Sequence, residues 1–572
     1  MNFPPIPATI DDIDATQWKT FATYFTELNE RQITPENTRQ WIEDWSALSR
    51  LTWESGAMIY ILKSLDTTDE EKEQAYLDFV NNVSPKIQIA NQQLKERLLV
   101  LDNGRPAFDD MKLVLRHMRN EADLFREENV ALFPQIAQID NEYDKTTGGL
   151  KADWDGEEKN LNQLSLFLQE KERGVRARAW RTIMDLWLSQ RKHLNQIYAE
   201  MLQLRRQVAE NAGLPDYRAY AFREKGRFDY TPEDCFTFHD AIEAVVVPAA
   251  QRIYERKRLR LGLDALRPWD VAVDTSDAPP LKPYQGQDEL IQGSLNILSQ
   301  VDPELGRHFA VMAEEELLDL QTRQGKALGG YCSTLPLRQR PFIFMNGVGI
   351  HDNVQTLLHE AGHAFHVFEA APLPLIWQIR PPMEFAEVAS MSMELLSAPY
   401  LTKKNGGFYS ESEAARARIE HLEGILLFLP YMAVVDAFQH WVYLNPDEAM
   451  DAANCDAAWG KLWDRFMKGV DWSGLEDERV TGWHRKLHIF GVPFYYIEYG
   501  MAQVGALQVW RNSLNDQAGA VAAYRQALAL GGTKTLPELF AAAGAEFRFD
   551  TAMLTDLVTL VEKTVAKLET QI

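Results

Sequence analysis

The segment HDNVQTLLHEAGHAFHVFEAAP, residues 351–372, has the residue spacing of an amphipathic helix. Its apolar side chains recur every three or four residues, at positions 354, 358, 361, 365 and 368, and therefore share one face. Asp352 is the predicted N-cap, with Gln355 three residues later as in a capping box, and Pro372 ends the pattern. The segment therefore predicts one long helix whose apolar face packs against a neighbouring element.

Two histidines of this helix are spaced to bind one metal ion together. His359 and His363 lie four residues apart, about 40° around the axis, so both imidazoles can reach a Zn²⁺ at about 2.0–2.1 Å. Glu360 is tilted toward the open coordination position and is the predicted general base of a metal-assisted hydrolysis. A packing or surface role is the alternative for any single helical histidine, but the complete H-E-x-x-H arrangement favours a metal site. His366 would strain tetrahedral geometry, so it is predicted to support the site without binding the ion.

A catalytic zinc site also needs a third protein ligand, and two glutamates compete for this position. Glu369 follows the second histidine by six residues, but on an unbroken helix it lies about 240° away around the axis. Glu387 belongs to PPMEFAEVASMSMELLSAP, residues 381–399, which predicts a second helix, bounded by prolines, that returns antiparallel to the first. We therefore predict Glu387 as the ligand. Glu384 or Glu394, on the same side of that helix, would hydrogen-bond to a ligand imidazole, with ordinary helix charges as the alternative.

The pattern along the chain is mostly helical, with no flexible linker between its parts. Residues 1–195 are predicted to form an N-terminal helical region. Residues 196–572 are predicted to form the catalytic region, which is also mostly helical. We therefore expect a mostly α fold with two helical lobes packed on each other.

A small sheet is predicted around residues 327–347, next to the histidine helix. The run PFIFMNG, residues 341–347, is short, aromatic and β-branched between turn signals, which is typical of a strand. This strand is predicted to pair with an extended peptide. Gly329 and Gly330 would let a backbone approach closely, and Tyr331 is a further predicted contact for that peptide.

The charge balance limits the partners of this chain. It has 83 acidic and 59 basic side chains and a net charge of -24, a field that repels phosphate backbones and anionic lipid. Nucleic acid and membrane surfaces are therefore excluded as expected partners. The longest apolar run, residues 425–435, contains Pro430 and is too short to span a bilayer, so it predicts a buried helix.

The cysteines and the start of the chain indicate a reducing location. Cys235, Cys332 and Cys455 are odd in number, far apart and without a CxxC pair, which argues against a disulfide framework and against a thiolate metal site. The start, MNFPPIPATIDD, has neither the basic nor the apolar region of a secretory signal. We therefore expect a cytoplasmic protein.

Several segments resemble a known family. HEAGHAFH at residues 359–366, EFAEVASMSMELL at 384–396 and HIFGVPFYYIEYGMAQ at 488–503 together resemble the thimet oligopeptidase and oligoendopeptidase F family of zinc endopeptidases. The oligoendopeptidase F branch is the closer match, because PWD…PPLKPY and FIFMNGVGIHDNVQTLLHE also resemble segments of that branch. The resemblance covers roughly the second half of the chain.

This resemblance implies a nearly all-helical, two-lobed ellipsoid with a deep central channel. It implies one zinc ion per chain, with His359, His363 and Glu387 as ligands and Glu360 as general base, in agreement with the spacing argument. It also implies that short unfolded peptides are the substrates and that internal bonds are cut. An exopeptidase on the same zinc centre and an inert, metal-stabilised peptide-binding scaffold are the alternatives. Nothing in the sequence indicates an oligomeric state.

The resemblance also implies that a late histidine and late tyrosines hold the transition state. The candidates in this sequence are His488, Tyr496 and Tyr499, with Tyr495 as a further substrate contact. Tyr496 and Tyr499 keep the three-residue spacing of the family, while FGVPF replaces its glycine-rich stretch. Which of these side chains donates to the developing oxyanion is left open between them.

Overall fold

The computed structural model describes residues 3–102, 109–276, 278–327 and 329–572. Parts of the segments discussed above fall outside the described residues: residues 1–2 of the start, residue 277 of the segment PWD…PPLKPY and residue 328 of the predicted sheet region. The described chain is mostly helical with small sheets, so the predicted fold class is confirmed.

Up to residue 314 the helices are α1 Trp18–Glu30, α2 Thr38–Leu65, α3 Glu70–Asp78, α4 Ser84–Asp102, α5 Lys112–Leu124, α6 Glu127–Val130, α7 Phe133–Gly148, α8 Leu161–Ser165, α9 Arg173–Ser189, α10 Arg191–Asn211, α11 Tyr217–Glu224, α12 Pro232–Ala241, α13 Val247–Arg260, α14 Gln287–Val301 and α15 Pro303–Glu314. Beyond it they are α16 His351–Ala370, α17 Met383–Ser397, α18 Glu411–Leu444, α19 Ala452–Phe466, α20 Glu476–Val480, α21 Leu487–Gly491, α22 Tyr496–Ser513, α23 Gln517–Leu528, α24 Leu536–Ala542 and α25 Thr551–Glu569. The strands are β1 Lys151–Trp154, β2 Glu157–Asn160, β3 Leu318–Gln321, β4 Tyr331–Leu335 and β5 Arg340–Gly347.

The first helices of the chain share a core that reaches the connection between α16 and α17. Trp41 and Trp45 of α2 are buried in it, and Leu375 from that connection packs into the same core. The ring of Trp377 lies edge-on to that of Trp45, with 4.5 Å between the centroids. The N-terminal helices therefore hold the segment that joins the two helices of the site. Residue 195, the predicted division between two regions, lies inside α10, and the division itself stays a prediction.

The predicted strand is β5, but it lies in the centre of its sheet. The order is β3-β5-β4, with β3 parallel and β4 antiparallel to β5. Both edges of β5 are therefore already paired, and the expectation that PFIFMNG itself binds an extended peptide is wrong. The edge strands of this sheet are β3 and β4.

Two local details differ from the expectations. Helix α16 begins at His351 rather than after Asp352, and the side-chain oxygen of Asn353 accepts the backbone N–H groups of Val348 and Ile350. The predicted capping box with Gln355 is therefore absent. Strands β1 and β2 form an antiparallel hairpin that the helical pattern did not predict.

The buried apolar run is part of the long helix α18. This 34-residue helix is long and apolar enough to cross a membrane by length and composition, but 67% of its apolar window is buried inside the protein. Pro430 lies within it and is itself buried. The apolar run therefore lies in a buried helix, as predicted. That helix extends well beyond the run at both ends. The cytoplasmic location stays a prediction.

Candidate metal centre

Helices α16 and α17 meet closely at Gly362, which lies between the two histidines of the H-E-x-x-H segment. A Cβ atom on this residue would lie 2.5 Å from the carbonyl oxygen of Ala389 on α17. No side chain tolerates such a distance, so glycine is required for the two backbones to approach this closely. This close approach places Glu387 of α17 opposite His359 and His363 of α16.

The three predicted ligands converge. One ligand atom from each of His359, His363 and Glu387 can be chosen so that all three lie within 4.8 Å of one another. The Nε2 atoms of His359 and His363 are 3.4 Å and 3.7 Å from Oε2 of Glu387. Ligand atoms around a tetrahedral ion at about 2.0–2.1 Å are about 3.3 Å apart, so this spacing fits a single zinc-sized ion.

Glu394 positions the first histidine from the other side of its ring. Its Oε1 is 2.6 Å from Nδ1 of His359, and its Oε2 is 2.8 Å from Nε2 of His421 on α18. The first contact fixes the tautomer of His359 and leaves its Nε2 lone pair directed toward Glu387. Burial alone would raise the pKa of Glu394, but its hydrogen bonds to the two histidines lower it to about 2. The sequence named Glu394 as one of two candidates for this role and did not indicate His421.

The carboxyl groups of Glu360 and Glu387 are tuned in opposite directions. Burial raises the pKa of Glu360 to about 7, with Glu387 and Glu394 adding to the rise and His359 opposing it. For Glu387, burial is outweighed by the two histidines and by the Ser390 hydroxyl, which lower its pKa to about 2. One group can therefore exchange a proton near neutral pH, while the other stays an anion, as a metal ligand must.

One late tyrosine contacts the ligand carboxylate, and a second packs against it, with 5.0 Å between the ring centroids of Tyr495 and Tyr499. The hydroxyl of Tyr495 donates to Oε1 of Glu387 at 3.0 Å. Burial raises the pKa of Tyr499 to about 12, with contributions from the nearby Glu387 and Glu360 carboxylates. The His488 ring lies 6.1 Å from the Tyr495 ring and 6.0 Å from the Tyr499 ring.

Tyr496 has different neighbours. Its ring packs edge-on against Phe428 and Tyr431, and the Lys486 ammonium lies 4.1 Å from its centroid. The pKa of its hydroxyl is raised by burial and by two other tyrosines, without a contribution from Glu360 or Glu387. Of the predicted pair, Tyr499 is therefore the better placed to act at the centre.

Three other acidic or histidine side chains lie outside the ligand set. Glu384 accepts a hydrogen bond from the Tyr230 hydroxyl at 2.6 Å and does not contact a ligand imidazole. His366 is buried without a hydrogen-bond partner in the described chain, and burial lowers its pKa to about 3. Glu369, the rival ligand, pairs instead with Arg525 at 2.6 Å. The Glu369 side chain therefore points away from the two ligand histidines, as its position about 240° around the helix axis from His363 predicts.

The residues predicted to contact a peptide lie at the start of the edge strand β4. Gly329 has a φ of 93°, and a Cβ on Gly330 would lie 3.4 Å from the carbonyl oxygen of Phe344. The Tyr331 hydroxyl is 2.5 Å from that of Ser64, so this side chain joins the sheet to α2. Glycine at both positions keeps the approach to the edge open.

The free edge of β4 is next to Glu360. Within the described residues, β4 makes backbone ladder bonds to β5 alone. The start of β4 packs against α16, since a Cβ on Gly330 would lie 3.6 Å from Cγ2 of Thr356, one turn before Glu360. Burial raises the pKa of the Cys332 thiol in this strand, and the Glu360 carboxylate raises it further. Unpaired backbone groups beside the catalytic candidate can accept an extended chain.

A cavity of about 260 Å³ lies between the N-terminal helices and the beginning of α17. Glu384 lines it from α17, and His117 and Met118 line it from α5. Lys225, which also lines the cavity, has its ammonium 5.4 Å from the Tyr495 ring centroid. Lys225 and Glu384 therefore connect the wall of this cavity to the helices of the centre.

Sequence comparison defines the family. The model of peptidase family M3 matches residues 166–559, and that of the peptidase M3 N-terminal domain matches residues 3–104. The chain belongs to peptidase family M3, and it is therefore a peptidase. The resemblance found in the sequence is thereby confirmed.

Named relatives and solved structures agree with this family. The chain is 22% identical over 458 residues to an oligoendopeptidase F homolog of Mycoplasma pneumoniae, covering 75% of this chain and 72% of the relative. It is 20% identical over 494 residues to an oligoendopeptidase F homolog of Borreliella burgdorferi, covering 82% and 80%. A structure of Pz peptidase A with an inhibitor superposes with a TM-score of 0.85 at 27% identity, covering 99% of each chain.

Proposed function

We propose that this peptidase is a zinc-dependent endopeptidase that cleaves internal bonds of short, unfolded peptides. The observation that carries the proposal is the convergence of His359, His363 and Glu387 around a point next to Glu360. Two imidazoles and one carboxylate are a catalytic zinc donor set, because they leave a fourth position open. The 3.4 Å and 3.7 Å separations of the ligand atoms suit that ion.

The residues around the centre have separate tasks in this proposal. When bound, the zinc ion supplies Lewis acidity and lowers the pKa of water toward 7. Glu360 takes the proton from the attacking water and later gives it to the leaving amine, for which its pKa of about 7 is suited. The hydroxyl group of Tyr499 donates to the carbonyl oxygen as it becomes negative, while that of Tyr495 holds the Glu387 carboxylate. Glu394 keeps His359 in the tautomer that exposes Nε2.

The substrate binds as an added strand on β4. Backbone hydrogen bonds to this edge fix the register of the peptide without requiring a particular sequence. An extended chain on this edge passes the histidine helix with residues on both sides of the reacting bond, because the start of β4 packs against Thr356, one turn before Glu360. This arrangement favours internal cleavage over the removal of a terminal residue.

The substitution Glu360→Gln tests the general base. It keeps the size of the side chain and removes its proton-accepting charge, so kcat should fall by about 10²–10⁴-fold while the zinc content stays at the unaltered level. The assay is hydrolysis of an internally quenched peptide blocked at both ends, with zinc measured by mass spectrometry on the same samples.

Two comparisons complete this test. Glu369→Gln changes a carboxylate of the same helix that pairs with Arg525 outside the ligand set, and should retain activity. Cleavage of the blocked peptide should stop with chelator and return with zinc. An active Glu360→Gln protein would refute the role of Glu360. Cleavage of peptides with free ends only would indicate an exopeptidase, and no chelator-sensitive cleavage at all would indicate a binding scaffold.

A further inference from the structure

A second cluster of potential metal ligands is buried away from the centre described above. It consists of Cys235 and His239 on α12 and of Asp436 and His440 on α18. All four side chains are at most 1% exposed. Each helix contributes two residues spaced four apart, and this spacing places both on one face of the helix.

The four side chains face one another. One ligand atom from each of Cys235, Asp436 and His440 can be chosen so that all three lie within 4.8 Å. Nε2 of His239 is 2.9 Å from Oδ2 of Asp436, and Nε2 of His440 is 3.3 Å from the same oxygen. The edges of a tetrahedral zinc site are about 3.3–3.7 Å, so Cys235, Asp436 and His440 need to close by about 1 Å at most around an ion. His239 lies outside this group of three and contacts its carboxylate.

Two polar atoms of the cluster have no hydrogen-bond partner in the described part of the chain. They are Oδ1 of Asp436 and Nδ1 of His440. Apolar rings surround the His440 imidazole: the ring centroids of Phe236 and Phe494 lie 4.7 Å and 5.2 Å from its own. Buried polar atoms without partners are strongly unfavourable, and a metal ion would satisfy the carboxylate and an imidazole together.

We propose that Cys235, Asp436 and His440 form a second metal site that binds a divalent transition-metal ion, with zinc as the preferred cation, and that His239 holds the Asp436 carboxylate in place through its 2.9 Å contact. The thiolate and the carboxylate balance the two positive charges of the ion inside an apolar core. Sulfur and imidazole ligands favour zinc over magnesium or calcium. Because all of these residues are buried, a substrate has no access to the ion, and the site is structural and joins α12 to α18.

Metal stoichiometry and cobalt spectroscopy test this site without an activity measurement. Zinc-supplemented protein should contain two ions per chain, and the double variant His359→Ala/His363→Ala should contain one. Cobalt-loaded protein should show a near-ultraviolet thiolate-to-cobalt charge-transfer band, because the second site has a sulfur ligand and the first has none. The band should persist in the double variant and disappear in Cys235→Ser.

The matched control is Cys455→Ser, which changes another buried cysteine whose thiol donates to the Ala449 carbonyl at 3.3 Å. This variant should keep the band and both ions. A metal-free double variant, or a cobalt-loaded unaltered protein without the band, would overturn the proposal, as would a band that survives Cys235→Ser. If Cys235→Ser does not fold, the stoichiometry of the double variant and the spectrum of the unaltered protein decide alone.

Discussion

The contact between Glu394 and His359 gives a quantitative prediction for zinc affinity. The substitution Glu394→Gln keeps the shape of the side chain, and its amide oxygen can still accept the Nδ1 proton, but the negative charge is lost. A hydrogen bond to a charged group contributes about 1.5–3 kcal/mol, and the 2.6 Å distance between the two atoms is that of such a bond. Loss of a carboxylate that orients a ligand histidine weakens metal binding by about 10–100-fold.

These two magnitudes agree, since 10–100-fold corresponds to about 1.4–2.7 kcal/mol. We therefore expect the zinc Kd of Glu394→Gln to rise by about 10–100-fold, measured by competition with a chromophoric chelator at fixed pH. Glu369→Gln is the control, because its carboxylate lies on the histidine helix but pairs with Arg525. A Kd for Glu394→Gln within about threefold of the unaltered protein would contradict the role given to this contact. An equal loss in the control would show that the effect is not specific to the imidazole.

Three further predictions concern packing, catalysis and pH. Gly362→Ala places a methyl group 2.5 Å from the carbonyl oxygen of Ala389, so it should destabilise the fold by about 1–3 kcal/mol in urea unfolding; an unchanged midpoint would contradict the close contact. Tyr499→Phe should lower kcat by about 10²–10³-fold with zinc content unchanged, and a larger loss in Tyr496→Phe would reverse that assignment. Burial lowers the pKa of His484 to about 3, whereas the unfolded chain binds this proton below pH 6.5. This group should therefore contribute a fall in stability of about 1.4 kcal/mol per unit as pH decreases between these values, and His484→Gln should reduce the observed slope by that amount, as followed by urea unfolding at several pH values.

The local residue pattern of the sequence was sufficient to predict the two helices that carry the metal ligands. The helical period and the flanking prolines predicted α16 and α17, and the rotation along an unbroken helix excluded Glu369 in favour of Glu387. These arguments succeed because they depend only on backbone geometry within one or two helices. The predicted sheet was found for the same reason, since aromatic and β-branched residues between turn signals form strands.

Contacts between distant segments were beyond such arguments. His421 reaches Glu394 from α18, and nothing in its own neighbourhood of the sequence marks it as part of the centre. The order β3-β5-β4 depends on tertiary pairing, so the run PFIFMNG gave the strand but not its central position. The hairpin of β1 and β2 had a signal that was missed: Asp155 and Gly156, both with positive φ, form its turn. Cysteine counting likewise overlooked a C-x-x-x-H and a D-x-x-x-H pair that meet only after folding.

The contact at Gly362 has a consequence for how the metal preference of this chain could change. The gap between the two ligand-bearing helices is set there by main-chain atoms and is too narrow for a methyl group. Repacking of side chains elsewhere therefore has little room to shorten the reach from Glu387 to the imidazoles. A switch to another cation would have to come from replacing a ligand residue, or from replacing a residue that hydrogen-bonds to a ligand, such as Glu394. A change in the distance between the two helices would not provide it.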